Sequence, residues 1–237
     1  MRIGVIVAME KELAQLRTLL HDEVMEHGAT REWVTGRIGG NQVAILQCGI
    51  GKVNAAIGAT ELIAGWQPDV IVSSGVAGGA DVTLHVGDMV VGTQYVYHDA
   101  YCGSECAYGQ LQGLPARFEA ASSLLGCLAG MDITTPIRQG LIVSGDWFVD
   151  SREKMREILS HFPEAMAVDM ESCAIAHTCH LYRVPFVSMR IISDVPLSDH
   201  KAAQYFDFWD RLADGSFQVL RPLLQSLLLH FTIITNP

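Results

Sequence analysis

The sequence predicts a single α/β domain, with a central β-sheet flanked by helices, that spans residues 1–237. Residues 3–8 and 184–192 are almost continuously apolar, as strands are when helices cover both faces of a sheet. The 237-residue chain is 49% hydrophobic, which is enough to build one large core, and it has no apolar run long enough to cross a membrane. These features indicate a globular protein without a membrane partner.

The first predicted elements are a strand over residues 2–8 and a helix that begins at Met9. Glu10 and Glu12 lie two positions apart in this helix, so their side chains point to different faces. At most one of the two is therefore expected to face a pocket.

Residues 32–38 and 42–48 are predicted to form a hairpin with Gly39-Gly40-Asn41 at its turn. Residues 49–52, Gly-Ile-Gly-Lys, follow, and a helix is predicted over residues 53–66. The lysine of this segment is not followed by Ser or Thr, so the segment is not a Walker loop for phosphate. Its glycines favour a sharp bend between strand and helix instead.

Three further strands are predicted over residues 69–73, 88–97 and 139–144. Residues 74–79, Ser-Gly-Val-Ala-Gly-Gly, are predicted as a loop whose glycines let a ligand approach the backbone, although tight turning alone also explains them. Residues 101–115 are rich in Gly and polar residues, which is typical of a loop. An aromatic side chain in residues 145–149 could stack on a flat ligand, although core packing is the usual role of such a side chain.

The segment from residue 165 to residue 194 places two acids at the ends of predicted elements. These elements are a strand over residues 165–168, a helix over residues 172–181 and a strand over residues 184–192. Glu171 meets the positive end of the helix dipole, which favours its ionised form, and Asp194 follows a strand end, where ligands of α/β sheets bind. Simple capping roles explain the same positions, so geometry alone leaves both interpretations open.

Arg190 lies inside the buried strand of this segment and needs a partner. An unpaired buried guanidinium would cost several kcal/mol, so Arg190 predicts a nearby carboxylate, with the acids near the end of the strand as the candidates. Cys173, His177 and His180 share one face of the preceding helix, where a metal could bind. Their apolar neighbours favour packed side chains instead, so no metal site is predicted.

The net charge of −10, from 16 Lys and Arg against 26 Asp and Glu, argues against a nucleic-acid partner. Such a partner requires clustered cations, which this chain lacks. A small-molecule partner is therefore expected. Met1 leads directly into a strand, without the basic segment and cleavage site of a secretory signal, so a cytoplasmic location is expected.

Several separated motifs together resemble one family. They are VAMEKELAQL, QCGIGKVNAA, SSGVAGG, VGDMVVGTQYVYHDA, GLIVSGDWFV, AVDMESCAIAHTCH and RIISD. In this order they resemble the 5′-methylthioadenosine/S-adenosylhomocysteine nucleosidases, and the set is far more specific than any single motif. The resemblance implies a nucleoside phosphorylase-like fold with a central mixed sheet. It also implies hydrolysis of the N-glycosidic bond, which gives adenine and a 5′-thioribose, without a cofactor.

The resemblance assigns three acidic side chains to this reaction. Breaking the bond requires a protonated leaving base and stabilisation of an oxocarbenium-like sugar. Asp194 would protonate adenine N7, which requires a raised pKa, and an ionised Glu12 would activate water. Glu171 would bind the ribose hydroxyls. The other implied substrate-binding residues are Met9, Ile50, Val76, Phe148, Val149, Met170, Arg190, Ser193 and Phe206.

Within that set, Phe148 would stack on the base and Val149 would contact it through its backbone. Ser193 would hold the side chain of Asp194. A terminal amphipathic helix is predicted over residues 205–229, and an aromatic near its start would cover the ligand. That aromatic is Phe206 or, with a different alignment, Tyr205.

The resemblance also implies a homodimer in which residues 101–115 of one protomer close the partner's site over the 5′-substituent. The sequence departs from the family pattern at Cys102, Glu105, Cys106 and Gln112 in this segment, at Val76, and at Trp147. The nucleoside therefore stays open among methylthioadenosine, adenosylhomocysteine, 5′-deoxyadenosine and an aminodeoxyfutalosine-like compound.

Two other functions fit parts of the pattern. A nucleoside phosphorylase would need cations or amides that bind phosphate. The two loops where such cations are expected carry Met9 and Val76 instead, and Glu12 would repel the anion. A binding protein without catalysis would not need a paired acid and base. Hydrolysis is therefore the predicted activity.

Overall fold

The computed structural model describes residues 1–129, 137–197, 208 and 220–225. The strands are β1 (Arg2–Val7), β2 (His21–His27), β3 (Glu32–Ile38), β4 (Asn41–Gln47), β5 (Val70–Gly79), β6 (Met89–Tyr97), β7 (Phe118–Glu119), β8 (Ile137–Ser144), β9 (Ala165–Asp169) and β10 (Phe186–Asp194). The helices are α1 (Glu10–Arg17), α2 (Lys52–Trp66), α3 (Ser122–Ala129), α4 (Arg152–His161) and α5 (Ser172–Tyr182). The predicted α/β fold with a central mixed sheet is confirmed.

The sheet runs in the order β10-β6-β8-β9-β5-β1-β4-β3-β2, and β10 also pairs with β5. Strands β5, β10, β6, β8 and β9 therefore close into a ring, from which β1 to β4 extend. Parallel pairs join β1 to β4 and β5, β5 to β10, and β8 to β6 and β9, whereas β10–β6 and β5–β9 are antiparallel. Several strands thus end at one side of the ring.

Apolar side chains cover both faces of the sheet, as the continuous apolar strands predict. Helices α2 and α5 pack on one face, for example through Leu62 and Ile175, and α3 packs on the other through Leu124. In β1, Ile6 belongs to the first layer and Val5 to the second. All nine residues of β10 are buried, which is expected of a strand inside two helical layers.

The glycine-rich residues 74–79 differ from the prediction, because they continue β5 instead of forming a loop. They pair with β10 along one edge, and Gly78 and Gly79 pair with β9 along the other, where β1 has ended. Paired backbone on both sides satisfies the peptide groups that a loop would expose. The other predicted elements in the described ranges match within two residues at each end.

Some elements were not anticipated, and one lies mostly outside the described residues. Strands β2 and β7 and helices α3 and α4 have no counterpart in the sequence predictions. Of the helix predicted over residues 205–229, the structure describes residue 208 and residues 220–225, which are helical. No helix within the described ranges is both long and apolar enough to span a membrane.

Candidate active site

A cleft of about 690 Å³, including its open mouth, lies where β1, β5, β8, β9 and β10 end. This volume is in the range of small-molecule sites. The sequence-predicted site residues that line it are Met9, Glu12, Ile50, Val76, Phe148, Val149, Met170, Glu171, Arg190, Ser193 and Asp194. Phe206 and its alternative, Tyr205, lie outside the described residues.

Glu12 is buried and faces the cleft, whereas Glu10 is exposed, so the expectation that at most one of them faces a pocket is confirmed. The Glu12 carboxylate bends back over the start of α1. Its Oε2 accepts hydrogen bonds from the backbone N–H groups of Ala8 and Met9, both at 2.9 Å, and its Oε1 accepts one from Val76 at 3.3 Å. Burial raises the pKa of Glu12, although these hydrogen bonds act in the opposite direction. The acid is therefore held rigidly by backbone groups.

Glu171 is the N-cap residue of α5, and its Oε1 accepts a hydrogen bond from the backbone N–H of Gly51 at 2.9 Å. Burial, reinforced by the neighbouring carboxylate of Asp169, raises the pKa of Glu171 to about 7. This shift is opposite in direction to the one that the helix dipole alone was expected to produce. Desolvation and a like charge outweigh the dipole in this environment.

Ser193 and Asp194 end β10 at an irregularity in the strand. The pairing register between β10 and β5 shifts between Ile192 and Asp194, and such bulges re-aim side chains next to active sites. The Ser193 hydroxyl donates to Oδ1 of Asp194 at 2.7 Å. Both side chains are buried beside the cleft.

Arg190 has the buried carboxylate partner that its position predicts, but the partner is Asp169, with Nε and Oδ2 2.8 Å apart. The two other guanidinium nitrogens donate to the Ser73 hydroxyl at 2.9 Å and to the carbonyl of Met189 at 3.2 Å. Arg190 thus lines the cleft without a direct salt bridge to the acids near the end of its own strand.

Asp169 also lines the cleft, although it is not among the site residues predicted from the sequence. Besides Arg190, its carboxylate accepts hydrogen bonds from the hydroxyls of Ser144, at 2.5 Å, and Ser172. It also accepts from the backbone N–H of Ser172 and so holds the first turn of α5, next to Glu171. The sequence feature that could have indicated Asp169 is its position at the end of a buried strand. The same position is also typical of an acid that only begins a helix, so the sequence did not distinguish the two roles.

The other end of the cleft is apolar and open. Phe148 and Trp147 are 58% and 54% exposed, whereas Val149 is buried. The ammonium of Lys154, in α4, lies 4.7 Å from the centre of the Trp147 ring, in cation–π contact. A flat ligand could therefore stack at this end while its polar end reaches the carboxylates.

Comparison with known proteins places this geometry in a family. Residues 2–225 match the model of the Phosphorylase superfamily. The chain is also similar to the 5′-methylthioadenosine/S-adenosylhomocysteine nucleosidase of Neisseria meningitidis, whose structure contains methylthio-immucillin-A. The identity is 35% over 95% of this chain and 99% of that chain, and the TM-score is 0.89. The chain belongs to the 5′-methylthioadenosine/S-adenosylhomocysteine nucleosidase family.

Two further similar structures come from enzymes with different named substrates. The nucleosidase of Colwellia psychrerythraea 34H, in complex with adenine, is 34% identical over 96% of both chains, with a TM-score of 0.87. The futalosine hydrolase of Helicobacter pylori is 25% identical over 95% of this chain and 97% of that chain, also with a TM-score of 0.87. The same fold therefore occurs in enzymes named for different nucleosides.

Residues 101–115 of this family member form neither helix nor strand, as predicted, and none of them lines the cleft of their own chain. Tyr101 is 66% exposed. Tyr108 instead stacks on His161 of α4, with 3.7 Å between the ring centres. The segment is therefore attached to the rest of the chain through Tyr108, while Tyr101 is exposed.

The side chains considered for a metal on α5 are packed in other ways. The His177 ring stacks on Phe118, and its Nδ1 lies 3.1 Å from the Tyr97 hydroxyl. Cys173 is buried in the core. Within the described ranges, no group of three or more His, Cys, Asp or Glu side chains is placed to hold a metal.

Proposed function

We propose that the protein hydrolyses the N-glycosidic bond of 5′-methylthioadenosine and S-adenosylhomocysteine and releases adenine and a 5′-thioribose. One observation carries the proposal: Glu12, Glu171 and Asp194 come from three distant segments of the chain and line one cleft. The family of the chain supports the same activity. A site for a nucleoside needs such acids at its polar end and an apolar surface at its other end.

The proposed roles follow from the charge that develops in the reaction. The leaving adenine must gain a proton, which Asp194 supplies at N7, while Glu12 removes a proton from the attacking water. Glu171 binds the ribose hydroxyls. Because burial and Asp169 make its ionised form costly before the reaction, the positive charge that develops on the sugar gives its carboxylate a partner and stabilises the transition state more than the substrate.

Water is the proposed nucleophile rather than phosphate. Among the described residues that line the cleft, Arg190 is the cation, and Asp169, Ser73 and the Met189 carbonyl already hold its three nitrogens. The carboxylates of Glu12 and Glu171 would repel a phosphate. A phosphorylase needs cations or amides turned toward the anion, so the charges of this cleft favour hydrolysis.

The assembly and setting of the enzyme are part of the proposal. We propose a homodimer in which residues 101–115 close the partner's cleft, because these residues do not line the cleft of their own chain. A cytoplasmic location and a role in methionine salvage are proposed with it.

The test is adenine release from methylthioadenosine, with and without phosphate. Equal release under both conditions is expected. Release only with phosphate would make the protein a phosphorylase, and binding without release would make it a nucleoside-binding protein. Either result contradicts the proposal.

A second candidate is hydrolysis of a futalosine-type nucleoside, which differs at the 5′-substituent. The futalosine hydrolase relative and the departures of residues 101–115 from the family pattern favour it. Relative kcat/KM on methylthioadenosine, adenosylhomocysteine, 5′-deoxyadenosine and aminodeoxyfutalosine decides between the two. We expect the thioadenosines to be the best substrates.

A further inference from the structure

Lys52, Asp99 and Asp146 form an ionic cluster beside the cleft, which we call the Lys52 clamp. The Lys52 ammonium donates to Oδ2 of Asp99 at 2.7 Å and lies 3.8 Å from Oδ2 of Asp146. The backbone N–H of Asp146 donates to the same oxygen of Asp99 at 2.8 Å, and the backbone N–H of Lys52 donates to Oδ1 of Asp146 at 2.7 Å. The clamp thus joins the ends of β6 and β8 to the start of α2.

The start of α2 depends on carboxylates from other segments. Its N-cap residue, Gly51, has no side chain to accept a hydrogen bond, and its first turn contains no acid. The first N–H groups of a helix need acceptors, and the positive end of the helix favours anions. Asp146 binds the N–H of Lys52, and Glu171 binds the N–H of Gly51. The consecutive N–H groups of Gly51 and Lys52 therefore bind two different carboxylates, those of Glu171 and Asp146.

These carboxylates belong to the two halves of the site. Asp146 stands two residues before Phe148, in the segment proposed to bind the base, and Glu171 is the acid proposed to bind the ribose. Gly51 has a φ of 95°, and a Cβ atom there would lie 2.9 Å from Oδ1 of Asp146. The glycine thus permits a close approach that a side chain would prevent.

The segment proposed to bind the base, residues 145–149, also packs against the His98 ring. A Cβ atom at Gly145 would lie 2.5 Å from Cε1 of the buried His98 ring, so the backbone of the segment rests directly on this ring. Burial acts to raise the pKa of Asp99, but the hydrogen bonds from Lys52 and from the Asp146 N–H outweigh it, and this pKa lies below its ordinary value. Asp99 is therefore an ionised anchor for both partners at neutral pH.

We propose that the Lys52 clamp is a positioning device that fixes the base segment of Phe148 and Val149 relative to the carboxylate of Glu171. The inference rests on the proposed function, since it assigns these two parts to the base and ribose of one nucleoside. Loss of the clamp lets the two halves move relative to each other. Binding of a ligand that spans both halves then weakens, whereas binding of the base alone depends on one half only.

The experiment compares KM for methylthioadenosine with Kd for adenine, the latter by calorimetry, in Asp146→Ala and Lys52→Met. We expect KM to rise about tenfold, with kcat within about threefold and Kd for adenine within about twofold of the wild type. Lys52→Arg retains the charge and should restore most of the affinity. Asp150→Ala, which removes an exposed acid from the neighbouring residues, is the matched control and should leave KM unchanged.

An unchanged KM in both clamp variants would overturn the inference, and so would an equal loss of affinity for nucleoside and adenine. If the wild type releases no adenine, the proposed function fails, and Kd for methylthioadenosine replaces KM in the same comparison. A wild type that binds neither compound would overturn both.

Discussion

Glu12 shows how one side chain serves the helix and the site together. Its carboxylate accepts a hydrogen bond from the backbone N–H of Met9, the N-cap residue of α1, and still faces the cleft. Three backbone N–H groups hold it, and among the residues that the structure describes no side-chain cation forms an ion pair with it. The geometry therefore fixes the position of the acid independently of substrate, which is what a general base requires.

Replacing either proposed acid–base residue should slow adenine release strongly. Glu12→Gln and Asp194→Asn should each reduce kcat by about a hundredfold or more, because general acid–base help contributes roughly this factor. Steady-state kinetics on methylthioadenosine measures the effect. Glu10→Gln, an exposed acid two residues from Glu12, is the control and should be close to wild type. Near-normal rates in one of the two variants would remove that residue from the mechanism.

Glu171 should destabilise the folded protein as the pH rises. Its folded pKa of about 7 exceeds the ordinary value of 4.5, so the folded state holds this proton more tightly than the unfolded state. The group therefore costs no stability below about pH 4.5, costs more as the pH rises to about 7, and has a constant cost above that.

The variant Glu171→Gln removes this cost. At pH 8 its Tm should exceed that of the wild type by at least about 2–4 °C, the shift that 1 kcal/mol produces in a chain of this size. The difference should shrink at pH 5, while adenine release is lost at both values. Thermal unfolding across this pH range tests it, with Asp150→Asn, a change at an exposed acid outside the proposed dimer contact, as the control. A Tm difference independent of pH would contradict the assignment.

Strand β5 is the element whose length the sequence misjudged, and its glycines show why. Residues 74–79 contain three glycines, which are typical of turns, but here they lie between two neighbouring strands. At Gly75, a Cβ atom would lie 2.7 Å from Oε1 of Glu12. Gly75 is therefore required by the close approach of the Glu12 side chain and not by a turn. The local sequence cannot distinguish these two reasons for a glycine.

Gly75→Ala should displace the Glu12 carboxylate and reduce kcat by about tenfold or more, because small misplacements of a catalytic group are costly. Parallel kinetics and thermal unfolding measure the effect on activity and stability. Gly126→Ala in α3 is a matched control: its Cβ meets no atom within 4 Å, and Ala favours a helix over Gly by roughly 1 kcal/mol. Wild-type kcat in Gly75→Ala would show that Glu12 adapts or does not act.

At the scale of the whole molecule, the buried Arg190–Asp169 pair ties β10 to β9 across the ring of strands. Asp169→Asn leaves the guanidinium without its counter-charge and should cost about 3–5 kcal/mol of unfolding free energy. The double variant Asp169→Asn/Arg190→Met removes both charges and should recover part of this loss. Urea unfolding at one fixed protein concentration measures it, since the stability of the proposed dimer would depend on concentration. If the loss in the double variant equalled the sum of the losses in Asp169→Asn and Arg190→Met, the two side chains would not be coupled.

We propose that residues 1–237 form one domain, and the same unfolding experiment tests this. A single domain should give coincident transitions by tryptophan fluorescence and by circular dichroism. The four tryptophans of the chain make the first probe practical. Separate transitions would indicate a second cooperative unit.

The sequence by itself determined the fold class, most element boundaries, and, through the resemblance of its motifs to a family, many of the side chains that line the cleft. Apolar periodicity and the order of the motifs carry this information, because burial on both faces leaves a local trace in each strand. Only the tertiary structure decided the partner of Arg190, the raised pKa of Glu171, the path of residues 74–79 and the Lys52 clamp. Each of these depends on which atoms from distant segments meet, and on how much water they exclude, and neither quantity is encoded in local spacing.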